Sequence, residues 1–347
     1  MYDTNAQAIS DKLTQTSTAV FNQETIDSIL SLVTSTTDTV VTVETVEMTQ
    51  NGVLNVAAGT EIAFVTTSDT VQTAVTVTGN TPVVMFQGAG GVDATFQNAP
   101  ASASAGSSAA VADASATQRV IVGTAGADKI TIADGKNTKV IVGDKDVVVA
   151  GDGHTVVVAA QGSSTVQGSD NTIVEVVGKE SDFTVSVNDG HATIANAATG
   201  VSVDLSGVNF VQLDGSDALI FADNAKQAAV ANMYHAVLGR NADAGGLDFW
   251  YDRVDEGVSL TAIANAFLTS AEYGDQSQTN AQFVDMLYDK LLGRDGDTTG
   301  YEFWTKALEA GVSRATVVTA FAEASVTDAT EVAVVGTVTI VDGGTLA

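Results

Sequence analysis

The sequence predicts a mainly β protein with an all-α C-terminal part: a β-strand domain and a parallel β-roll or β-helix, followed by a duplicated three-helix unit. Three observations predict it. Short Val- and Thr-rich runs are punctuated by Gly, Asn and Asp over the first two thirds of the chain. Between residues 119 and 180 these runs recur about every nine residues. Residues 230–270 then reappear as 284–324 at a constant offset of 54.

In chain order, residues 1–39 read as an N-terminal helical segment. In FNQETIDSILSLV, Asn22 is placed to cap a helix that carries Ile26, Ile29, Leu30 and Val33 on one face. Residues 40–99 read as a β-rich domain of short strands, and 100–118 as an Ala/Ser linker or loop. Residues 119–180 carry the nine-residue rhythm, with Ile121, Ile130, Val140, Val148, Val157, Val166 and Val174 marking its apolar runs. Corners need positive φ, which Gly, Asn and Asp supply, and one rung cannot bury its own face. A sandwich with regular hairpins is the alternative. Residues 181–224 continue as strands, with a hairpin turn at Asn188–Gly190.

Residues 225–326 form the duplicated helical domain. Tyr234 matches Tyr288, Leu238-Gly239-Arg240 matches Leu292-Gly293-Arg294, and Phe249-Trp250 matches Phe303-Trp304. Each copy predicts three helices. Gly239 and Gly293 end the first, Asp243 and Asp297 cap the second, and Ser259 and Ser313 are placed to cap the third. Residues 327–347 form a strand-like tail.

Composition narrows the function classes. Of 347 residues, 42 are acidic and 14 basic, a net charge of -28, so the surface repels nucleic acid and anionic lipid headgroups. With 45% hydrophobic residues the chain has material for a packed core. It has no cysteine, which excludes disulfides and thiolate zinc sites. No apolar run is long enough to span a bilayer, and the first residues show no Sec-type signal. His154, His191 and His235 lie far apart in sequence, and neither a zinc-hydrolase pair nor a nucleophile elbow is present. The chain therefore reads as a non-enzyme.

The two copies, YHAVLGRNADAGGLDFWYDRV and YDKLLGRDGDTTGYEFWTKAL, resemble a helical domain of unknown function common in secreted bacterial proteins. The segment GTAGADKIT is similar to the calcium-binding nonapeptide of repeats-in-toxin proteins; Gly123, Gly126, Asp128 and Ile130 fit, while Thr124 stands where the second Gly belongs. The resemblance implies type I export and a surface location. Type I export would use a C-terminal signal, with which the tail around Asp342 is compatible; an ordinary terminal strand fits it equally.

Two sets of candidate site residues follow. Asp128, Asp144, Asp146, Asp152 and Asp170 could hold calcium at the roll corners, since a hard cation takes carboxylate and carbonyl oxygens; alternatively they cap turns. Arg240 and Arg294 could pair with loop carboxylates, or grip an acidic glycan or a neighbouring subunit bidentately. Trp250 and Trp304 fit a helix core face, and could otherwise stack on sugars. The expected function is an extracellular, self-assembling, calcium-assisted surface-layer or filament subunit. The alternatives are a monomeric adhesin that binds cell-surface polysaccharide and a carbohydrate-active enzyme on a β-helix.

Overall fold

The computed structural model describes residues 2–16, 23–33, 40–98, 116–169, 171–215, 217–274, 277–326, 331–334, 337–341 and 345–346. The chain divides into two compact units, residues 1–177 with 193–208, and residues 178–192 with 209–347.

The first unit opens with strand β1 (Tyr2–Asn5) and helices α1 (Ala6–Thr16) and α2 (Gln23–Val33). A parallel β-solenoid of about six turns follows. Its strands alternate strictly between two sheets. One sheet takes β2 (Val40–Glu47), β4 (Ile62–Thr66), β6 (Val83–Gln87), β8 (Arg119–Val122), β10 (Thr138–Val142), β12 (Thr155–Ala159) and β14 (Thr172–Glu175). The other takes β3 (Gly52–Leu54), β5 (Thr73–Val77), β7 (Val92–Phe96), β9 (Lys129–Ile132), β11 (Asp146–Val149) and β13 (Ser163–Gln167). After residues 178–192, which include β15 (Thr184–Asn188) and belong to the second unit, the chain returns with β16 (His191–Asn196) and β17 (Val201–Ser206). Strand β17 pairs in parallel with β13.

The apolar markers of the sequence form the interior. Ile121, Val140, Val157 and Val174 stack in register in the first sheet, and Ile130, Val148 and Val166 in the second. All seven are fully buried. β-branched side chains suit such ladders, since their restricted χ1 loses little when packed on a pleated surface. The nine-residue rhythm is therefore half a turn, not a whole one, because successive runs enter opposite sheets.

The outer faces differ. Strands β4, β6, β8 and β10 are buried almost throughout because α1 and α2 cover them. Ile9, Leu13, Ile26, Ile29 and Val33 join Ile62, Phe64, Val83, Met85, Val120, Val122 and Ile141 in one cluster. Strands buried on both faces read as continuous apolar runs, as IAFV and VVMF do. In the second sheet, β5, β7 and β9 alternate buried and more open positions, so their outer face is open.

The sequence pattern leaves open whether residues 40–99 join the solenoid of 119–180; β6 pairs with β8 and β7 with β9 in one continuous ladder. The ambiguity comes from turn length. In register, Thr138, Thr155 and Thr172 are evenly spaced along the chain. Val83 pairs with Val120 across a longer stretch, part of which (99–115, the core of the Ala/Ser segment) lies outside the described residues. Corners stack backbone on backbone: a Cβ on Gly126 would lie 2.5 Å from the Ala89 carbonyl oxygen and the Gly91 nitrogen.

The second unit has its own strands, β18 (Phe210–Gln212) antiparallel to β19 (Ala218–Ala222), then β20 (Glu331–Val334), β21 (Thr337–Val341) and β22 (Thr345–Leu346). Strand β21 runs parallel to β19, and β22 pairs with β15. Asp189 and Gly190 have φ of 51° and 71°, the positive values a two-residue hairpin turn demands. The helices are α3 (Ala225–Met233) continued by a π turn (Tyr234–Leu238), α4 (Ala244–Asp255), α5 (Leu260–Leu268), α6 (Asn280–Leu292), α7 (Thr298–Glu309) and α8 (Arg314–Val326). That is three per copy. Gly239 and Gly293 close the first helices at φ of 70° and 60°. Asp243 and Asp297 accept the N–H of Gly246 and Gly300, and Ser259 and Ser313 accept those of Ala262 and Thr316. The tail residue Asp342 and the cap residue Asn22 lie outside the described residues.

Candidate functional site

Two places gather the residues singled out by sequence, one in each unit.

In the solenoid, Asp128 and Asp146 occupy the same corner of successive turns and are almost fully buried. Asp128 Oδ1 accepts the Val92 N–H at 2.7 Å and the Thr124 hydroxyl at 2.6 Å, and its Oδ2 accepts the Thr124 N–H. Asp146 repeats the arrangement one turn on. Its Oδ1 accepts the Asp128 N–H at 2.9 Å and its Oδ2 the Gly143 N–H at 2.6 Å. Each carboxylate thus ties its own corner to the turn before it. Ser164 is next in register, and its buried hydroxyl has no hydrogen-bond partner among the described residues.

Burial pushes the Asp128 carboxyl up, against the hydrogen bonds that favour its ionised form. Burial, followed by the charge of Asp128, pushes Asp146 up to about 7. Every oxygen of the pair accepts an N–H or hydroxyl hydrogen, so both carboxylates tie successive turns together. Asp144 is at the surface, where its Oδ1 accepts the Ser163 N–H and hydroxyl, both at 3.0 Å. Those bonds hold it below the usual carboxylate range. Asp152 is exposed at another corner, and Asp170 lies outside the described residues. Among the described residues, no three acids, histidines or cysteines are grouped to hold a metal ion. The acids Asp93 and Asp204 on the second sheet stand four strands apart, about 19 Å. Paired-carboxylate glycoside chemistry needs less than about 10 Å.

A neighbouring corner holds a site that sequence reasoning missed. Arg119 donates Nη1 and Nη2 to the two oxygens of Asp134 at 2.7 and 2.9 Å, with both side chains buried. The guanidinium also lies 4.4 Å from the Phe96 ring centroid and donates to Thr138 Oγ1. Burial alone would raise the Asp134 carboxyl, but Arg119 holds it below its ordinary value. The signal was present: an arginine opening an apolar strand, and an acid at the next turn.

In the helical unit each copy builds a row of rings. In the first, Arg240 lies over Tyr234, Tyr234 meets Phe267 edge-on, and Phe267 meets Trp250. Trp250 meets Phe249, and Arg253 lies over Phe249 at 4.6 Å. Arg240 grips Glu272 through Nε and Nη2 and Asp243 through Nη1 at 2.8 Å. The second copy repeats the row as Arg294, Tyr288, Phe321, Trp304 and Phe303. The motif glycines follow from this packing: a Cβ on Gly246 or Gly300 would collide with the Tyr234 or Tyr288 hydroxyl. Trp250 and Trp304 are half-buried within the rows, whereas Phe249 and Phe303 are exposed by 48% and 60%. Sequence reasoning placed the weight on the tryptophans and passed over the phenylalanines, Glu272 and Arg253.

No curated protein and no solved structure matches the chain. Residues 220–277 and 264–328 each match a family model described as a domain of unknown function, DUF4214, so the helical region is similar to that family in two overlapping copies.

Proposed function

We propose that the protein is an extracellular structural protein, a surface-layer or filament subunit that assembles with copies of itself and is exported by the type I route. The observation that carries this reading is the parallel solenoid. Its interior is spent on its own packing, and its buried polar corners tie turn to turn, as in a scaffold. A solenoid beside a domain of this helical family is compatible with an extracellular structural or surface role. Two features support assembly. Among the described strands β3 ends its sheet, with Val53 51% exposed, and an open edge is a template for another strand. Copies carrying a net charge of -28 repel one another, so divalent cations at exposed acids such as Asp144 and Asp152 would favour contact. In this reading calcium acts between molecules. No described helix is long and apolar enough to cross a membrane.

A second reading, an adhesin that binds cell-surface polysaccharide, draws on the exposed Phe249 and Phe303, because sugar rings stack on aromatic faces. Electron microscopy of the purified protein with calcium and with chelator separates the two. Ordered lattices or filaments that disperse on chelation are expected. Single particles under both conditions, with retention on a polysaccharide matrix, would favour the adhesin.

A further inference from the structure

We propose that Arg294 is a docking point that binds a carboxylate of a second copy of this chain; the inference rests on the self-assembly reading above. The duplication supplies its own comparison. In the first copy the surface is closed by two charged residues. Glu272 takes the Nε and Nη2 edge of Arg240, and Arg253 covers the Phe249 ring. At the offset of 54 the second copy has Ala307 where the first has Arg253; carried two residues past the duplicated block, the same offset sets exposed Glu272 against Val326, the buried last residue of α8. Both closing charges are replaced by apolar side chains, while the arginine and the aromatic row remain.

The consequence is visible at Arg294. Its Nη1 donates to the Asp295 carbonyl at 3.2 Å and lies 3.7 Å from Asp297 Oδ2. Its guanidinium sits 5.1 Å from the Tyr288 ring centroid, the same placement as Arg240 over Tyr234. Among the described residues, no carboxylate meets its Nε or Nη2. The side chain is 54% exposed, against 41% for Arg240. The ring beneath and the capping Asp297 alongside hold the fork in the orientation that grips a carboxylate in the first copy. A planar, oriented fork loses less entropy on binding than a free one.

The same asymmetry indicates the partner. Phe303 has no guanidinium over it among the described residues, whereas Phe249 does. The complement of a missing glutamate and a missing arginine is a surface that bears both signs, which a protein offers and a polyuronate does not. A chain with 42 acidic residues presents carboxylates over much of its own surface. An Arg294–carboxylate contact is accordingly a cross-link between copies that the first helical unit makes internally.

Sedimentation velocity of the full chain over a concentration series tests this, with Arg294→Gln and Arg240→Gln variants checked for fold by circular dichroism. Arg294→Lys, added to the series, keeps the charge without the planar fork. Arg294→Gln should weaken association by about fivefold, and Arg294→Lys should weaken it by less. Arg240→Gln should leave association unchanged. Association of Arg294→Gln equal to that of the wild type would overturn the inference and leave self-assembly standing. A wild type that stays monomeric would sink both. Binding of oligogalacturonate that depends on Arg294, by a monomeric wild type, would assign the carboxylate to a polysaccharide and overturn the second-copy partner.

Discussion

Replacing Arg119 with alanine should cost the fold about 3–5 kcal/mol, because it leaves a buried carboxylate without its counter-charge. Asp134 is enclosed at a corner of the solenoid, and both its oxygens receive Arg119. Lys136, 3.7 Å away, is the other cation within reach, and it is partly exposed. The alanine variant also empties the space over Phe96, a fully buried ring that packs edge-on against Phe86. Arg119→Lys keeps the charge but not the two-pronged geometry, so it should recover only part of the loss. The double variant Arg119→Leu/Asp134→Leu should be far less damaging than Arg119→Ala, since it removes both charges together. Urea unfolding followed by circular dichroism reads these differences. A loss below about 1 kcal/mol for Arg119→Ala would show that this corner is more hydrated than its burial indicates.

Stability should also fall as pH rises from about 4 to about 7, and Asp146 should carry much of that slope. Asp146 is raised to about 7 in the fold, by burial and then by the neighbouring charge of Asp128. In the unfolded chain an aspartate titrates near 3.9. Between these values the native state holds the extra proton, so the unfolded state binds fewer, and stability declines with pH. The contribution is complete below the unfolded value and lost as pH passes through the folded one, with a size of up to about 4 kcal/mol. Self-repulsion of the acidic surface has the same sign, so the informative quantity is the difference between the wild type and Asp146→Asn. The substituted side chain would still accept the Asp128 N–H through its amide oxygen but cannot titrate. The variant's free energy of unfolding should change less between about pH 5 and about pH 8. Parallel curves for the two proteins would remove Asp146 from the account.

Much of this architecture is legible in the sequence, for identifiable reasons. The markers Ile121 to Val174 stand out because an inward ladder must be apolar at every rung. The helical copies stand out because capping residues and close-packed glycines repeat with them. Asp243 and Asp297 each cap a helix, and Gly246 and Gly300 each lie under a tyrosine hydroxyl.

What stayed hidden has physical causes too. Strands of the two sheets look alike in sequence, so a half-turn rhythm cannot be told from a full turn by spacing. Whether the early strands join the solenoid stayed open because their corners vary in length. Asp128 and Asp146 fit both the calcium and the turn-capping reading in sequence, because a turn-binding carboxylate and a metal-binding one occupy the same place in a Gly/Asp corner. The Arg240–Glu272 contact spans 32 residues, with nothing local to announce it. Its loss in the second copy becomes readable only once Glu272 is known to matter.

A surface component must lie outside the cell. Immunogold labelling of intact cells that make the protein natively tests that claim most directly. The expected result is dense label on the outer surface without permeabilisation, reduced when the cells are washed with a calcium chelator. Label that appears only after permeabilisation, and lies in the cytoplasm, would contradict it.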